Sequence, residues 1–155
     1  MLNLKSNKIK YKIKTAAVNE IFSHLKECNE NFTPPLDDRV NIEEYAKKIF
    51  DKSVTFEAWQ DQLLVGFIAA YFNDNFSGSA FITNVSIVRN FMRLGIASRL
   101  LNLCIGYASQ NNFKKLKLEV NRHNNSAIRL YDRLGFVSYK TNEDTLLMKL
   151  EIAKQ

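Results

Sequence analysis

The run Arg93-Leu94-Gly95-Ile96-Ala97-Ser98 is the stretch of this chain best suited to holding a charged ligand. It lies where the strand-like Val85-Ser86-Ile87-Val88 passes into a helix-like segment. The first turn of a helix leaves backbone N–H groups unpaired, and the aligned peptide dipoles add about half a positive charge there. Gly95 removes the side chain that would keep a ligand from the backbone, and Ala97 and Ser98 keep the next positions small. Such a cradle suits a phosphate or pyrophosphate. By itself, one glycine at a helix start is structural more often than functional. The other chemistry-bearing residues point nowhere in particular. His24 reads as a surface residue of the first helix and His123 as an incidental loop histidine. Cys28 and Cys104 are far apart, with neither metal-ligand nor redox spacing. We expect reduced thiols, a cytoplasmic setting and no metal. Cys104 falls on an apolar helical stripe, which argues for core and against an acyl-cysteine intermediate.

Composition sets the outer limits. The chain has 155 residues, of which 46% are apolar and 25% charged, as expected of one globular domain spanning residues 1–155 with a sizeable core. No apolar run reaches the roughly 20 residues of a membrane span. The start, MLNLKSNKIKYKIK, lacks the continuous apolar segment of a signal peptide. A net charge of +6 favours an anionic partner, although a solvated basic surface accounts for it more simply. Much of that charge comes from Lys5, Lys8, Lys10, Lys12 and Lys14. The last three alternate with Ile9, Tyr11 and Ile13, as on the wet face of a first strand.

The elements that must position the cradle follow from periodicity. Residues 8–14 alternate as a strand. Thr15 is a candidate cap for a helix running to about Glu30, with Val18, Ile21, Phe22 and Leu25 on one face. Pro34 and Pro35 break that pattern, and a second helix is expected over 42–50. SVTFEAW and LLVGFIAAYF, separated by QDQ, read as a hairpin, and AFITNVSIV as a further strand. A helix over 95–110, a strand at KKLKLEV, a short helix over 125–134 stopped by Gly135 and a last hairpin complete the chain. The order βααβββαβαββ implies an α+β fold, with mixed strands and helices on both faces.

Two of these stretches together resemble the GNAT superfamily of acyl-CoA-dependent N-acetyltransferases. The family signature Arg/Gln-x-x-Gly-x-Gly/Ala at a strand-to-helix turn is occupied by Met92 through Ala97, with Met92 departing from Arg or Gln. Arg89 stands where many members have proline. The second stretch, LEVNRHNNSAIRLYDRLGF (118–136), matches the pattern LEV…N..A..LY..LGF closely and is the more specific of the two. The resemblance covers nearly the whole chain. It implies a mostly antiparallel seven-stranded sheet in three α/β/α layers and acetyl-CoA as cosubstrate. It further implies that the backbone of Val85, Ser86 and Ile87 pairs with the pantetheine arm and that Arg93, Leu94, Gly95, Ile96, Ala97 and Ser98 cradle the pyrophosphate. Asn124 would hydrogen-bond the cofactor, and Tyr131 would aim its hydroxyl at the thioester sulfur.

The implied reaction is direct transfer of acetyl to a primary amine in a ternary complex. An alkylammonium of pKa about 10 must lose a proton before it can attack. Glu119 is the candidate base, because Thr83-Asn84 supplies no carboxylate on the fourth strand where many members carry one. Tyr131 is the candidate acid, although Leu130, Tyr131 and Leu134 also suit a core. Arg89, Arg99, Lys114 and Lys115 are candidate contacts for a cofactor 3′-phosphate, or simply a solvated face.

The family grips its acceptor with the loop between the first two helices and with the last hairpin, here residues 31–38 and 141–144. Asp37, Asp38, Glu143 and Asp144 are candidate attractors of a cationic amine. A loose likeness to small bacterial members points to an amino sugar or nucleotide-linked amino sugar. A protein N-terminus or lysine is the alternative acceptor, and a non-catalytic basic binding module the alternative class. The dispersed basic residues argue against nucleic acid. A homodimer is left open.

Overall fold

The computed structural model describes residues 8–153, so Lys5 lies outside the described residues. The element order is β1 (Ile9–Ile13), α1 (Val18–Cys28), α2 (Ile42–Lys52), β2 (Val54–Gln60), β3 (Leu63–Asp74), β4 (Ser79–Ile87), α3 (Ile96–Gln110), β5 (Lys115–Asn121), α4 (Asn125–Arg133), β6 (Val137–Thr141) and β7 (Thr145–Glu151). This is the βααβββαβαββ order expected. The strands form one seven-stranded sheet in the order β1-β2-β3-β4-β5-β7-β6. Every pairing is antiparallel except β4 with β5.

Two cores sandwich the sheet. One joins α3 and α4 to Phe56, Ile68, Ile82, Leu116 and Leu118. The other joins α1 and α2 to Trp59, Leu64, Phe67 and Ala69. Because β2 and β3 are covered on both faces, their burial runs on from residue to residue rather than alternating. Phe56, Phe67 and Phe136 are fully buried, each worth about 1.5–3 kcal/mol relative to an exposed side chain. Phe72, Tyr107 and Phe113 pack edge-on beneath the far end of α3, with ring centroids 4.9 and 5.0 Å apart.

Three local expectations are corrected. Thr15 does not cap α1: the helix begins at Val18 behind Ala17, whose N–H donates to Glu20 at 2.8 Å. Thr15 instead gives its N–H and hydroxyl to Glu57, a fully buried carboxylate that also receives Ala16 N–H, Thr55 Oγ1 and Trp59 Nε1. A buried acid needs every donor within reach, and that demand outweighs a cap. The helix ends at Cys28 rather than Glu30, where a 3₁₀ turn takes over (Asn29–Asn31). His24 is not a surface residue; it is 3% exposed, on the stripe formed by Ile21, Leu25 and Cys28.

Candidate active site

The sheet splits at its centre. β4 and β5 pair over only Ser79–Ile82 and Lys115–Leu118. Beyond that seam, β4 continues against β3 alone and β5 against β7 alone. The register of β4 slips at Thr83, because Asn84 pairs with Ala69 and Ile82 with Ala70, leaving Thr83 as an extra residue. Past this bulge, alternate peptides of β4 face the gap. The carbonyl of Thr83 accepts from Tyr45 Oη at 3.0 Å, and that of Ile87 from Asn31 Nδ2 at 3.4 Å. Val88 N–H turns the other way, to the Val65 carbonyl of β3. The alternation leaves the Val85 peptide edge facing the gap with no protein strand opposite. An extended ligand can pair there.

At the end of β4 the chain makes a 3₁₀ turn (Arg89–Phe91) and enters α3 through two left-handed residues, Arg93 at φ +66° and Gly95 at φ +81°. Alternating handedness of this kind gathers successive N–H groups into a concavity for an anion. Gly95 is the N-cap, and a Cβ built on it meets nothing within 4 Å. Glycine is therefore required here for its backbone angle and for open approach, not for tight packing. The opposite situation holds at Gly66 of β3, where a Cβ would come 2.7 Å from Ile96 Cγ2. That missing side chain seats the first residue of α3 against the sheet and fixes where the helix N-terminus points.

The gap opens into a cleft of about 800 Å³. Val85, Ser86, Ile87, Arg93, Gly95, Ile96, Ala97, Ser98, Glu119, Asn124 and Tyr131 all line it. Of the residues named for the cofactor's arm and pyrophosphate and for catalysis, Leu94 alone lies outside the lining; its side chain is 65% exposed. Glu119 is exposed on β5, opposite in sense to buried Leu118 and Val120. Asn124 is half committed: its Oδ1 accepts Ala127 N–H at 3.2 Å and caps α4, which leaves the amide N–H groups free to reach a ligand.

Tyr131 is 6% exposed and packs on Phe136 with centroids 5.8 Å apart. Burial pushes its phenol up to about 12, so the hydroxyl holds its proton at neutral pH. Among the described residues none is hydrogen-bonded to it. A hydroxyl that lines a cleft without a protein partner fits a ligand atom that completes the site. The open strand edge, the concave turn and this hydroxyl together fit an acyl-CoA: its extended arm, its pyrophosphate and its sulfur.

The acceptor side differs from expectation. Asn31, Phe32, Thr33 and Leu36 line the cleft, as does Asn121, whose Nδ2 donates to the Thr33 carbonyl at 3.3 Å. Asp37, Asp38, Glu143 and Asp144 are exposed and do not line it. Glu119 is the one carboxylate in the lining, accompanied by Arg39, Arg93, Arg129 and Arg133. Sequence reasoning passed over Arg39, Tyr45 and Asn84, because the direction of a loop side chain and the presence of a bulge leave no periodic trace. Arg99, a candidate phosphate contact, stacks over Tyr11 with 4.7 Å to the ring centroid. Arg89 donates to Asn31 Oδ1 at 3.2 Å. Among the described residues no cluster suits a metal, and no helix is long and apolar enough to cross a membrane.

Comparison with solved structures finds the same architecture. The ribosomal-protein-S18-alanine N-acetyltransferase of Escherichia coli superposes with TM-score 0.75 at 19% identity, covering 94% of this chain and 96% of that one. The PaiA N-acetyltransferase of Thermoplasma acidophilum, solved in complex with coenzyme A, gives 0.73 at 15% identity over 92% and 99%. Arabidopsis thaliana NAA60, in complex with a bisubstrate analogue, gives 0.69 at 21% identity over 96% and 100%. These likenesses establish the fold. No curated protein sequence matches the chain. The family model for acetyltransferases matches residues 18–136, which include the β4–α3 turn, Glu119, Asn124 and Tyr131. This chain therefore belongs to the acetyltransferase (GNAT) family, whose members use acetyl-CoA.

Proposed function

We propose that this N-acetyltransferase is a single domain over residues 1–155 that moves acetyl directly to the primary amine of a small molecule in a ternary complex. The observation that carries this reading is the pairing of Glu119 and Tyr131 in one cleft, beside an open strand edge and a concave helix start. When bound, acetyl-CoA supplies an activated acyl group as its thioester.

Each residue then has a task. The Arg93–Ser98 turn holds the pyrophosphate with backbone N–H groups, so Met92 costs nothing there. Val85, Ser86 and Ile87 offer the strand edge, and the N–H near Ile87 polarises the acyl carbonyl. Asn124 steadies the cofactor through its free amide. Glu119, directly or through a water, removes the proton that keeps an alkylammonium from attacking. Tyr131 gives a proton to the departing sulfur. A phenol near 12 is a poor acid against a thiol in water, but burial raises thiols as well. Cys28, buried in this same molecule, is pushed up to about 12. Burial of the thioester sulfur beside Tyr131 would narrow the gap between donor and acceptor in the same direction.

The lining also bears on the acceptor. With Arg39 at the Phe32–Tyr45 end and no carboxylate there besides Glu119, an amine that carries its own anion suits the cleft. A nucleotide-linked amino sugar has that character. Buried free thiols at Cys28 and Cys104 support a reducing, cytoplasmic setting. The test is calorimetric titration with acetyl-CoA, using desulfo-CoA and ATP as controls, followed by CoA release with amino sugars, polyamines and peptides. One-to-one binding with turnover of an amino sugar supports the reading. Binding with turnover of peptides alone moves the acceptor to protein N-termini or lysines.

A further inference from the structure

One buried group in the molecule has no place in this mechanism, yet it connects to the cleft. His24 of α1 lies beneath β4. Its Nδ1 is 3.0 Å from the Leu64 carbonyl oxygen and its Nε2 is 2.9 Å from Ser86 Oγ. Ser86 Oγ is in turn 2.8 Å from Asn84 Oδ1, and both Ser86 and Asn84 line the cleft. Tyr45, next to this chain, directs its phenol to the carbonyl and hydroxyl oxygens of Thr83, at 3.0 and 2.9 Å.

Counting protons fixes the direction of this chain. A carbonyl only accepts, so Nδ1 carries a hydrogen and donates it to Leu64. Ser86 has one hydroxyl hydrogen and cannot give it both to Nε2 and to Asn84. If it goes to Asn84 Oδ1, the contact at Nε2 needs a second proton on the ring, making a cation. If the ring is neutral, Ser86 donates to Nε2, and Asn84 must turn its amide by half a revolution so that Nδ2 donates to Ser86 Oγ. The two rotations have the same shape, and only hydrogen bonding separates them.

The surroundings choose the neutral ring. His24 is 3% exposed. From α1 it faces Cys28, whose Sγ is 3.7 Å from Nε2; a bare Nε2 has one lone pair, and the nearer, stronger hydroxyl donor of Ser86 takes it ahead of the weak S–H. From β3 it faces the Leu64 carbonyl and the Phe67 ring, centroids 5.5 Å apart, and from β4 only Ser86. No carboxylate stabilises a cation there, and a buried unpaired charge is costly. Desolvation accordingly lowers the imidazole to about 4.

We propose that Asn84 works with Nδ2 anchored on Ser86 and Oδ1 presented to the cleft, where it accepts an N–H of the incoming amine, and that neutral His24 is the positioning residue that fixes this rotation. The proposal rests on the acetyltransferase reading above. A neutral primary amine has two N–H groups and one lone pair. Glu119 on β5 takes one N–H, Asn84 on β4 the other, and the lone pair is left directed between the strands at the acyl carbon. The Asn84 amide also lies within hydrogen-bond reach of the Tyr45 phenol, but that hydroxyl gives its one proton to the Thr83 carbonyl, so Asn84 Oδ1 awaits a donor from the substrate. This gives β4 a polar contact to the amine without a carboxylate at Thr83-Asn84.

The experiment has a structural arm and a kinetic arm. ¹⁵N NMR of the imidazole in the whole protein at pH 7 is expected to show the Nδ1–H tautomer with bare Nε2, and the Asn84 NH₂ resonances should shift in Ser86→Ala. A cation, an Nε2–H tautomer, or Asn84 resonances indifferent to Ser86→Ala would overturn the proposal. In the kinetic arm, glucosamine serves as acceptor probe and CoA release as readout. Ser86→Ala should lower kcat at least about tenfold while KM for acetyl-CoA stays within about twofold. His24→Gln, whose Oε1 can still accept from Ser86, should recover most of the rate that His24→Leu loses. If Gln and Leu are equally impaired, or Ser86→Ala leaves kcat unchanged, His24 is packing alone and the proposal fails. Wild-type protein that binds acetyl-CoA but releases none with any amine counts against the acetyltransfer reading instead, and the NMR arm alone then decides the orientation of Asn84.

Discussion

Acidification from pH 7.5 to 5 should weaken the fold through His24, by an amount that can be worked out in advance. The imidazole titrates near 6.5 in an unfolded chain and near 4 in the native state, because burial penalises its cation. Between those values the unfolded chain binds more protons, so stability falls as pH drops through 6.5 towards 4 and levels off below. Above about 6.5 the group contributes no pH dependence. The whole gap is worth about 3 kcal/mol, of which about 2 kcal/mol is already lost at pH 5. Urea unfolding at pH 7.5, 6 and 5 of wild type and His24→Gln isolates this contribution, since the carboxylates titrate alike in both proteins. The variant should start less stable at pH 7.5. Its further loss on going to pH 5 should then be smaller than that of wild type by about 2 kcal/mol. Equal losses in the two proteins would refute the reasoning, as would a His24 ring resonance that titrates near pH 6.5 in the native state.

Other expectations follow from the same geometry. Tyr131→Phe should lower kcat about 10²-fold with little change in acetyl-CoA affinity; because it breaks no hydrogen bond among the described residues, its Tm should not fall, and an unchanged kcat would end the acid role. Glu119→Gln should lower the rate most at acidic pH, where more of the amine is protonated, so a pH–rate profile of unaltered shape and height would remove Glu119 as the base. Gly95→Ala forces a side chain into a left-handed backbone and should weaken acetyl-CoA binding about tenfold by calorimetry. Glu57→Gln replaces one of two donor-surrounded oxygens with an NH₂, which then faces three of the five donor groups, and should cost about 2–4 kcal/mol in chemical denaturation.

The sequence carried more of the fold than of the acceptor site. The β4–α3 turn was readable only together with α4, whose family pattern is dense, because a lone glycine before a helix is structural more often than functional. Ile21, His24, Leu25 and Cys28 stand at i, i+3, i+4 and i+7, so the helical period did contain the burial of His24. A prior that lone histidines are solvated concealed it. Glu57 was a different matter. An acid inside a strand covered on both faces needs, besides Thr55 and Trp59 two residues away, donors some forty residues off at Thr15 and Ala16, which no local pattern connects to it. The acidic loops misled for a similar reason. Charge can be read from letters, but Arg39 rather than Asp37 or Asp38 lines the cleft because of where one 3₁₀ turn (Leu36–Asp38) places its side chains.

The short seam between β4 and β5 has a mechanical meaning as well. The sheet is two leaves, β1 to β4 and β5 to β7 with β6, stitched along four residue pairs at one end and parted at the other. β6 is exposed along its whole length at the rim of the second leaf, and that leaf is tied to the first by the stitch and by the core that α3 and α4 share with both. A ligand laid along the parted edges acts as a second line of stitching. Amides of β5 and β7 should therefore gain hydrogen-exchange protection on cofactor binding even where they touch no ligand, while those of β1 and β2 stay as they were.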